Sequence, residues 1–313
     1  MKRATCTLLL FATVRLTGSV LYGQGCSDAG FCTMGAMKPD QAYNKRIAIR
    51  LRSIEVGFYR GTTPLTPVIY VATADLNFGI NDKTSFQIKL PYQVVRGQLG
   101  NTSGLGDISL CLTRNVVRHR TFDLNVSLGM KLPTNGADKS EDGFPLPMYY
   151  QTSLGSFDAV AGVSLISRKW LLATGIQHPF NQNKNQFLWS AWESSSEDQE
   201  YIHRYANSRE LYRGTDIMFR IERNFRFSQW NFAVGMLPIY RLNHDEITDR
   251  FGKRVQQPNT TGLAMSALIS TGYNFNVNSG VKLLVGHKLV QRDNNPDGLT
   301  REWVSTLSYC YKF

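Results

Sequence analysis

The alternation of side chains in the last stretch, Arg301 to Phe313, most constrains what this chain can fold into. Trp303, Ser305, Leu307, Tyr309, Tyr311 and Phe313 occupy the odd positions, and Val304, Thr306, Ser308, Cys310 and Lys312 the even ones. A period of two, with aromatic groups on one face and small or polar groups on the other, describes a strand between two different solvents. One such strand could edge a soluble sheet, but the pattern recurs upstream. Val68, Tyr70, Ala72, Ala74, Leu76, Phe78 and Ile80 alternate with Thr73, Asp75, Asn77 and Gly79. Phe86, Ile88, Leu90, Tyr92 and Val94 alternate with Gln87, Lys89 and Gln93. Ile108, Leu110 and Leu112 oppose Asp107, Ser109, Cys111 and Thr113. Phe122 to Leu132 then sets Asp123, Asn125, Ser127, Gly129 and Lys131 against an unbroken apolar face. Lipid on one side and a polar lumen on the other require this arrangement.

Further strands are expected near 155–167, 170–180, 215–224, 228–242, 261–275 and 280–291. A first strand over 47–59 changes phase midway, which a bulge near Arg52 would explain. Short links (81–83, 118–120, 168–169, 225–227, 276–279) alternate with long ones (60–67, 95–105, 134–154, 181–214, 243–260, 292–300). Short periplasmic turns and long outer loops give a barrel this rhythm. The expected fold is all-β: a transmembrane antiparallel up-and-down β-barrel of twelve strands, with ten or fourteen as alternatives. A β-sandwich would explain neither the alternating loop lengths nor the outward aromatics. No apolar run approaches the roughly 18 residues of a spanning helix, and the mean hydropathy is -0.25. Aromatic residues make up 12% of the chain, enough to furnish interfacial girdles.

The N-terminus is read as an export signal. Lys2 and Arg3 precede an apolar run from Thr7 to Val14, and small residues Gly18, Ser19, Gly23 and Gly25 follow, although Arg15 interrupts. The expected organisation is a signal peptide over 1–24, a short periplasmic segment over 25–46 and an outer-membrane barrel over 47–313. Within that segment Cys26 and Cys32 enclose a short loop that a disulfide could close in an oxidising compartment; lipidation of Cys26 is the alternative. The formal charge is +11, with Lys2, Arg3 and Arg15 belonging to the leader. The rest is scattered and forms no basic block, which argues against a nucleic-acid partner.

Two resemblances follow from particular residues. The C-terminal Tyr309, Tyr311 and Phe313 resemble the assembly signal of Gram-negative outer-membrane barrels, which implies the barrel-assembly machinery as a partner. Four segments resemble the outer-membrane transporter family named for the meta-pathway of phenol degradation. They are Leu90-Pro91-Tyr92 ending a strand, Ser103-Gly104-Leu105-Gly106-Asp107-Ile108-Ser109-Leu110 opening the next, Lys131-Leu132-Pro133-Thr134, and Gly155-Ser156-Phe157-Asp158. This resemblance implies a channel or transporter-like barrel for a small solute, hydrophobic or aromatic by family analogy. The Cys26–Cys32 segment and the insertion after Phe180 depart from the family pattern.

The strand phases place Asp75, Lys89, Asp107, Asp123, Lys131, Asp216, Arg220, Glu222, Arg241, Lys282 and Lys288 in the lumen. These charges could line a narrow water path that selects ions, or pair across the interior as a structural core. The loop from Asn181 to Arg213 holds Phe187, Leu188, Trp189, Trp192 and an acidic run from Glu193 to Glu200, with a short helix expected over Tyr201 to Tyr212. It could fold into the mouth, offer a contact surface or pack on its neighbours. A surface-binding protein with a sealed lumen is therefore the second functional reading. An outer-membrane hydrolase is the third, but no histidine stands in a His-x-Ser-Asn context. No motif indicates a cofactor or metal: the glycines from Gly100 to Gly106 lack the strand–helix setting and lysine of a phosphate cradle.

Overall fold

In the computed structural model, which describes residues 50–313, twelve strands close into one antiparallel barrel. The leader, the Cys26–Cys32 segment and the beginning of the expected first strand, including Ile47 and Ile49, lie outside the described residues. The barrel strands are β1 (Arg50–Thr62), β2 (Val68–Gly79), β3 (Thr84–Gly97), β4 (Ile108–Arg118), β5 (Phe122–Leu132) and β6 (Asp158–Ser167). They continue as β7 (Trp170–Pro179), β8 (Asp216–Phe227), β9 (Trp230–Arg241), β10 (Gly262–Asn274), β11 (Ser279–Val290) and β12 (Trp303–Lys312). Each strand pairs with its neighbours in sequence. β1 meets β12 in register from Ser53↔Lys312 to Thr62↔Trp303, which seals the sheet. Closure leaves no strand edge with unpaired backbone groups, the condition for crossing hydrocarbon with strands.

Five short turns lie at the end where Phe313 sits, called the turn end below. The long connections gather at the opposite, loop end. On β5 the alternation is sharp: Ser127 is 4% exposed and Leu128 65%. Along the strands the outward row is predominantly apolar, with isolated arginines such as Arg60, Arg114 and Arg223. Trp170, Phe225, Phe227, Trp230, Tyr311 and Phe313 crowd its turn end, while Tyr92, Phe180, Tyr240 and Trp303 mark its loop end. Two aromatic girdles bounding an apolar band form the lipid-facing exterior of a membrane barrel. Leu128→Arg, near the middle of that band, is expected to cost about 2–4 kcal/mol. Urea unfolding of the barrel refolded in vesicles would measure this; a loss below about 1 kcal/mol would place Leu128 away from the hydrocarbon centre.

The expected bulge is present, with a register shift in β1 between Leu51 and Ser53 around Arg52. Two expectations need correction. The segment 95–105, read as a loop, is mostly strand, and Leu90-Pro91-Tyr92 does not end one. β3 runs on to Gly97, and Gly100–Leu105 folds back along it from Gly97↔Gly100 to Tyr92↔Leu105 before β4 begins. The outward apolar row continues through Tyr92 and Val94, and inward Val95 is apolar too, so nothing in the side chains stops the ladder there. The helix expected over Tyr201 to Tyr212 is only Gln199–His203, here α1, capped by Asp198 accepting from the Glu200 N–H. Beyond it the chain is drawn into other bonds: the Ser208 N–H donates to the Phe187 carbonyl at 3.0 Å and the Glu210 N–H to the Asn185 carbonyl at 2.8 Å.

Candidate functional site: barrel interior and loop cap

The inward rows of the strands build an interior with two unlike walls. On β2 to β5, below the apolar residues at their loop ends, the buried inward residues are mostly polar: Asp75, Gln87, Lys89, Ser109, Thr113, Asn115, Asn125, Ser127 and Lys131. On β6 to β10 the inward Val160, Ala173, Met218, Leu237 and Leu268 pack into one apolar cluster. Polar groups on the first wall are bonded to their neighbours. The Gln87 amide donates to Asp75 at 2.7 Å, Asn115 to Asn125 at 2.9 Å, and Thr113 and Ser127 share a bond of 2.7 Å. Lys89 lies opposite Asp75 in the β2–β3 register. Within β8, Arg220 Nε donates to Glu222 at 2.8 Å.

A network of ion pairs crowns this interior at the loop ends of β6, β8 and β9. The Arg241 guanidinium serves three carboxylates. It donates through Nε and Nη2 to Asp216 at 2.8 and 2.7 Å, through Nη1 to Asp245 at 2.8 Å, and through Nη2 to Asp297 at 2.8 Å. Arg292 Nη2 reaches Asp297 at 3.5 Å, and Arg213 donates to Asp158 and, at 3.0 Å, to Ser156. Lys131 faces Asp158 in the β5–β6 register. Burial alone would raise the Asp297 carboxyl, but Arg241, Arg292 and Arg213 hold it well below the usual carboxylate range. Burial raises Asp245 despite Arg241, and the charge of Asp297 adds to that rise. The network matters for position as well as charge. It fastens three outer connections, through Arg213, Asp245, and Arg292 with Asp297, to the strand ends at Asp158, Asp216 and Arg241.

Above it the long loops form a cap. Phe187, Trp192, Tyr201, Ile202 and Tyr205 are buried against the inward Tyr59, Ile69, Val71, Val95 and Val304 at the loop ends of β1, β2, β3 and β12. The insertion after Phe180 thus turns most of its aromatic groups into the mouth, with Trp189 left exposed. Asn185 pins its base: its amide donates to the carbonyls of Ala137 and Leu146 at 2.8 and 3.1 Å, and its oxygen accepts from the Phe187 N–H at 2.9 Å. Trp192 Nε1 donates to the Pro145 carbonyl at 2.7 Å. Tyr201 and Tyr205 join hydroxyls at 2.7 Å, and Tyr201 also bonds Thr66 on the β1–β2 link. Beneath the cap lies a cavity of about 40 Å³, lined by Lys89, Asp107, Asp297 and Arg301 among others. It has room for a few water molecules but not for an organic solute.

The motif segments meet at this rim. The Gly106 N–H donates to the Pro91 carbonyl at 2.8 Å, Thr134 Oγ1 to the Leu105 carbonyl at 2.7 Å, and Ser156 Oγ to Asp158 at 2.8 Å. Gly155 has φ +71°, and a Cβ there would lie 2.7 Å from the Gly136 carbonyl, so only glycine fits. The lumen candidates are therefore spread over different settings. Lys131, Asp216, Arg220, Glu222, Arg241 and Lys288 are buried on the inward face with Asp75 and Lys89, and Lys282 is half-buried nearer the turn end. Asp107 is buried too, but it accepts from Ser153 and from the Leu154 N–H at 3.1 Å, anchoring the 134–154 loop. Asp123 sits at the turn-end rim, half-exposed and 3.8 Å from Arg118. Sequence reasoning missed Arg213, Asp245, Arg292 and Asp297, because charged residues in polar loops look solvated until the loops are seen folded inward, and it missed Asp158, which opens a strand whose inward phase was not counted.

The sequence matches no protein-family model and no curated protein. The solved structures do give matches. An outer membrane channel from Pseudomonas putida F1 superposes with a TM-score of 0.62 over 88% of this chain and 99% of that one, at 14% identity. The fold is that of an outer-membrane β-barrel. Looser matches to this barrel are the NanC porin (TM-score 0.48, 9% identity, 84% of this chain and 100% of that one) and the KdgM porin (0.40, 8%, 83% and 99%). In this barrel the five histidines are dispersed. His119 bonds Thr121 at 3.0 Å and His178 bonds Thr215 at 2.8 Å. His244 and His287 meet the backbone carbonyls of Gln257 and Glu302, and His203 lies against the Trp189 ring.

The cap carries a pH dependence of its own. Burial raises the hydroxyls of Tyr149, Tyr150 and Tyr205 above the ordinary tyrosine value. A group held above its unfolded value of about 10 lends stability below that pH and loses it as pH rises toward the folded value. Tyrosinate absorbance should therefore show these residues ionising together as the cap releases, above the ordinary range. Independent, non-cooperative titration near pH 10 would show that the hydroxyls are already open to water.

Proposed function

We propose that this chain is exported through its leader over 1–24, leaves 25–46 in the periplasm and inserts 47–313 into the outer membrane of a Gram-negative bacterium. There it acts as a gated channel for a small solute. One observation carries the reading: a charged, two-walled interior closed at its loop end by aromatic groups turned into the mouth. A protein that used this loop to bind a surface partner would present those rings outward, whereas Phe187, Trp192 and Tyr205 face inward. The polar wall on β2 to β5 and the apolar cluster on β6 to β10 suit a solute with both a polar and an apolar part, such as a substituted aromatic. The motif resemblance to the phenol-pathway transporter family, and the match to a solved channel, agree with transport. Asp75, Lys89, Lys131, Arg220, Glu222, Lys282 and Lys288 would set charge preference, while Asp216 and Arg241 would hold the gate. Tyr309, Tyr311 and Phe313 would present the strand that the assembly machinery reads.

Swelling of liposomes loaded with the refolded barrel tests the solute side. Substituted aromatics should enter faster than sugars of equal size. Equal rates would remove any role for the apolar wall, and no entry of either solute under conditions that release the cap would remove the channel reading.

A further inference from the structure

The outward face of β8 carries one residue that does not belong in hydrocarbon. Ile217, Phe219, Ile221, Phe225 and Phe227 continue the apolar row, and Arg223 interrupts it. Its guanidinium lies 4.8 Å from the centre of the Trp170 ring and 5.8 Å from that of Phe225. Among the described residues no carboxylate pairs with it; Glu222, next in the chain, faces inward and is bonded to Arg220. Arg223 opposes Trp170, the first residue of β7, so it sits at the level where the strand meets the β6–β7 turn. That turn supplies exposed Arg168 and Lys169, and no acid occurs in either 167–170 or 223–230.

An arginine facing lipid costs up to about 2–4 kcal/mol at mid-bilayer and about 0–1 near the interface, and aromatic stacking leaves its N–H edge free to donate. Such a group is stabilised by an anion at headgroup depth. We propose that Arg223, framed by Trp170 and Phe225 and backed by Arg168 and Lys169, seats the phosphodiester of one anionic phospholipid. The acyl chains run along Ile221 and Val234, both exposed on the same face. The site rests on the barrel spanning a bilayer with its turn end at the phospholipid leaflet, and it is independent of whether the lumen conducts. Arginine suits the site better than lysine because its planar fork can stack on the indole and still offer two donors to phosphate.

The test is native mass spectrometry of the full chain refolded in micelles and titrated with phosphatidylglycerol or phosphatidylcholine. One phosphatidylglycerol should be retained in preference to phosphatidylcholine. Arg223→Gln should weaken its affinity about fivefold, the equivalent of about 1 kcal/mol per cation near an anionic surface. Arg223→Lys should retain part of it, and Arg96→Gln at the loop end should change nothing. Heat-modifiable migration confirms that each variant is folded, and the lysine variant keeps the test alive if the glutamine variant fails to fold. Equal binding of the two lipids, an unchanged affinity in Arg223→Gln, or displacement by an equal concentration of glycerol 3-phosphate would overturn the assignment. Conductance recorded on the same preparations fails or succeeds separately, so a silent barrel that still selects phosphatidylglycerol refutes only the channel.

Discussion

Arg241→Met should release the outer loops and cost the barrel about 3–5 kcal/mol, because it strands buried carboxylates that share one guanidinium. Asp216, Asp245 and Asp297 all bond Arg241, and the side chains of Asp245 and Asp297 are fully buried. Removing one partner of a buried ion cluster leaves the desolvation of the others uncompensated. Some of that loss is recovered if the 243–260 loop swings out and hydrates Asp245, so protease cleavage of that loop should rise before the barrel melts. Urea unfolding and limited proteolysis read the two effects separately. Arg241→Lys keeps the charge but cannot reach three carboxylates at once, and should fall between the two. Unchanged stability and unchanged cleavage in Arg241→Met would mean that the loops are held by their apolar contacts alone.

Excising residues 188–207 should convert a closed barrel into a leaky one. The excursion is closed at its base by the Ser208-to-Phe187 backbone bond, so a two-glycine link can replace it without moving the strands. It removes Trp192, Tyr201, Ile202 and Tyr205 from the mouth. Each buried side chain of this size contributes about 1.5–3 kcal/mol to closure, and each 1.4 kcal/mol lost raises an open fraction about tenfold. Tyr205→Ala alone should therefore shift the balance measurably, and the excision should abolish closure. Liposome swelling should accelerate in that order. If swelling stays at the wild-type rate after excision, the barrier lies deeper in the interior, among the charges of β2 to β5 and β8.

The barrel was legible in the sequence because its two faces meet different solvents. Ser127 and Leu128 can be told apart by chemistry alone, and the phase slip at Arg52 marks a bulge for the same reason. Strand ends were harder to read: β3 runs past Pro91 because the outward apolar row continues through Tyr92 and Val94, and inward-facing Pro91 does not break it. The candidate site was legible only in part. Arg241 and Asp216 sit on strands, so their inward phase could be counted. Arg213, Arg292 and Asp297 sit in loops, where no period applies and a charge is ordinarily solvated. Their role appears only when distant loops fold over one mouth and bring them to Arg241. The aromatics of the 181–214 loop were visible as an anomaly, but their direction depends on contacts with Tyr59, Ile69 and Val95 far away in sequence.

Single-channel recording in a planar bilayer, comparing the intact chain with the 188–207 excision, tests the gated channel most directly. A gated pore should give rare, brief steps from the intact barrel and sustained steps from the excised one, with a reversal potential in a salt gradient that reports the interior charges. Sustained steps from the intact barrel would contradict the gate. Silence from an excised barrel that still shows heat-modifiable migration would contradict the channel itself.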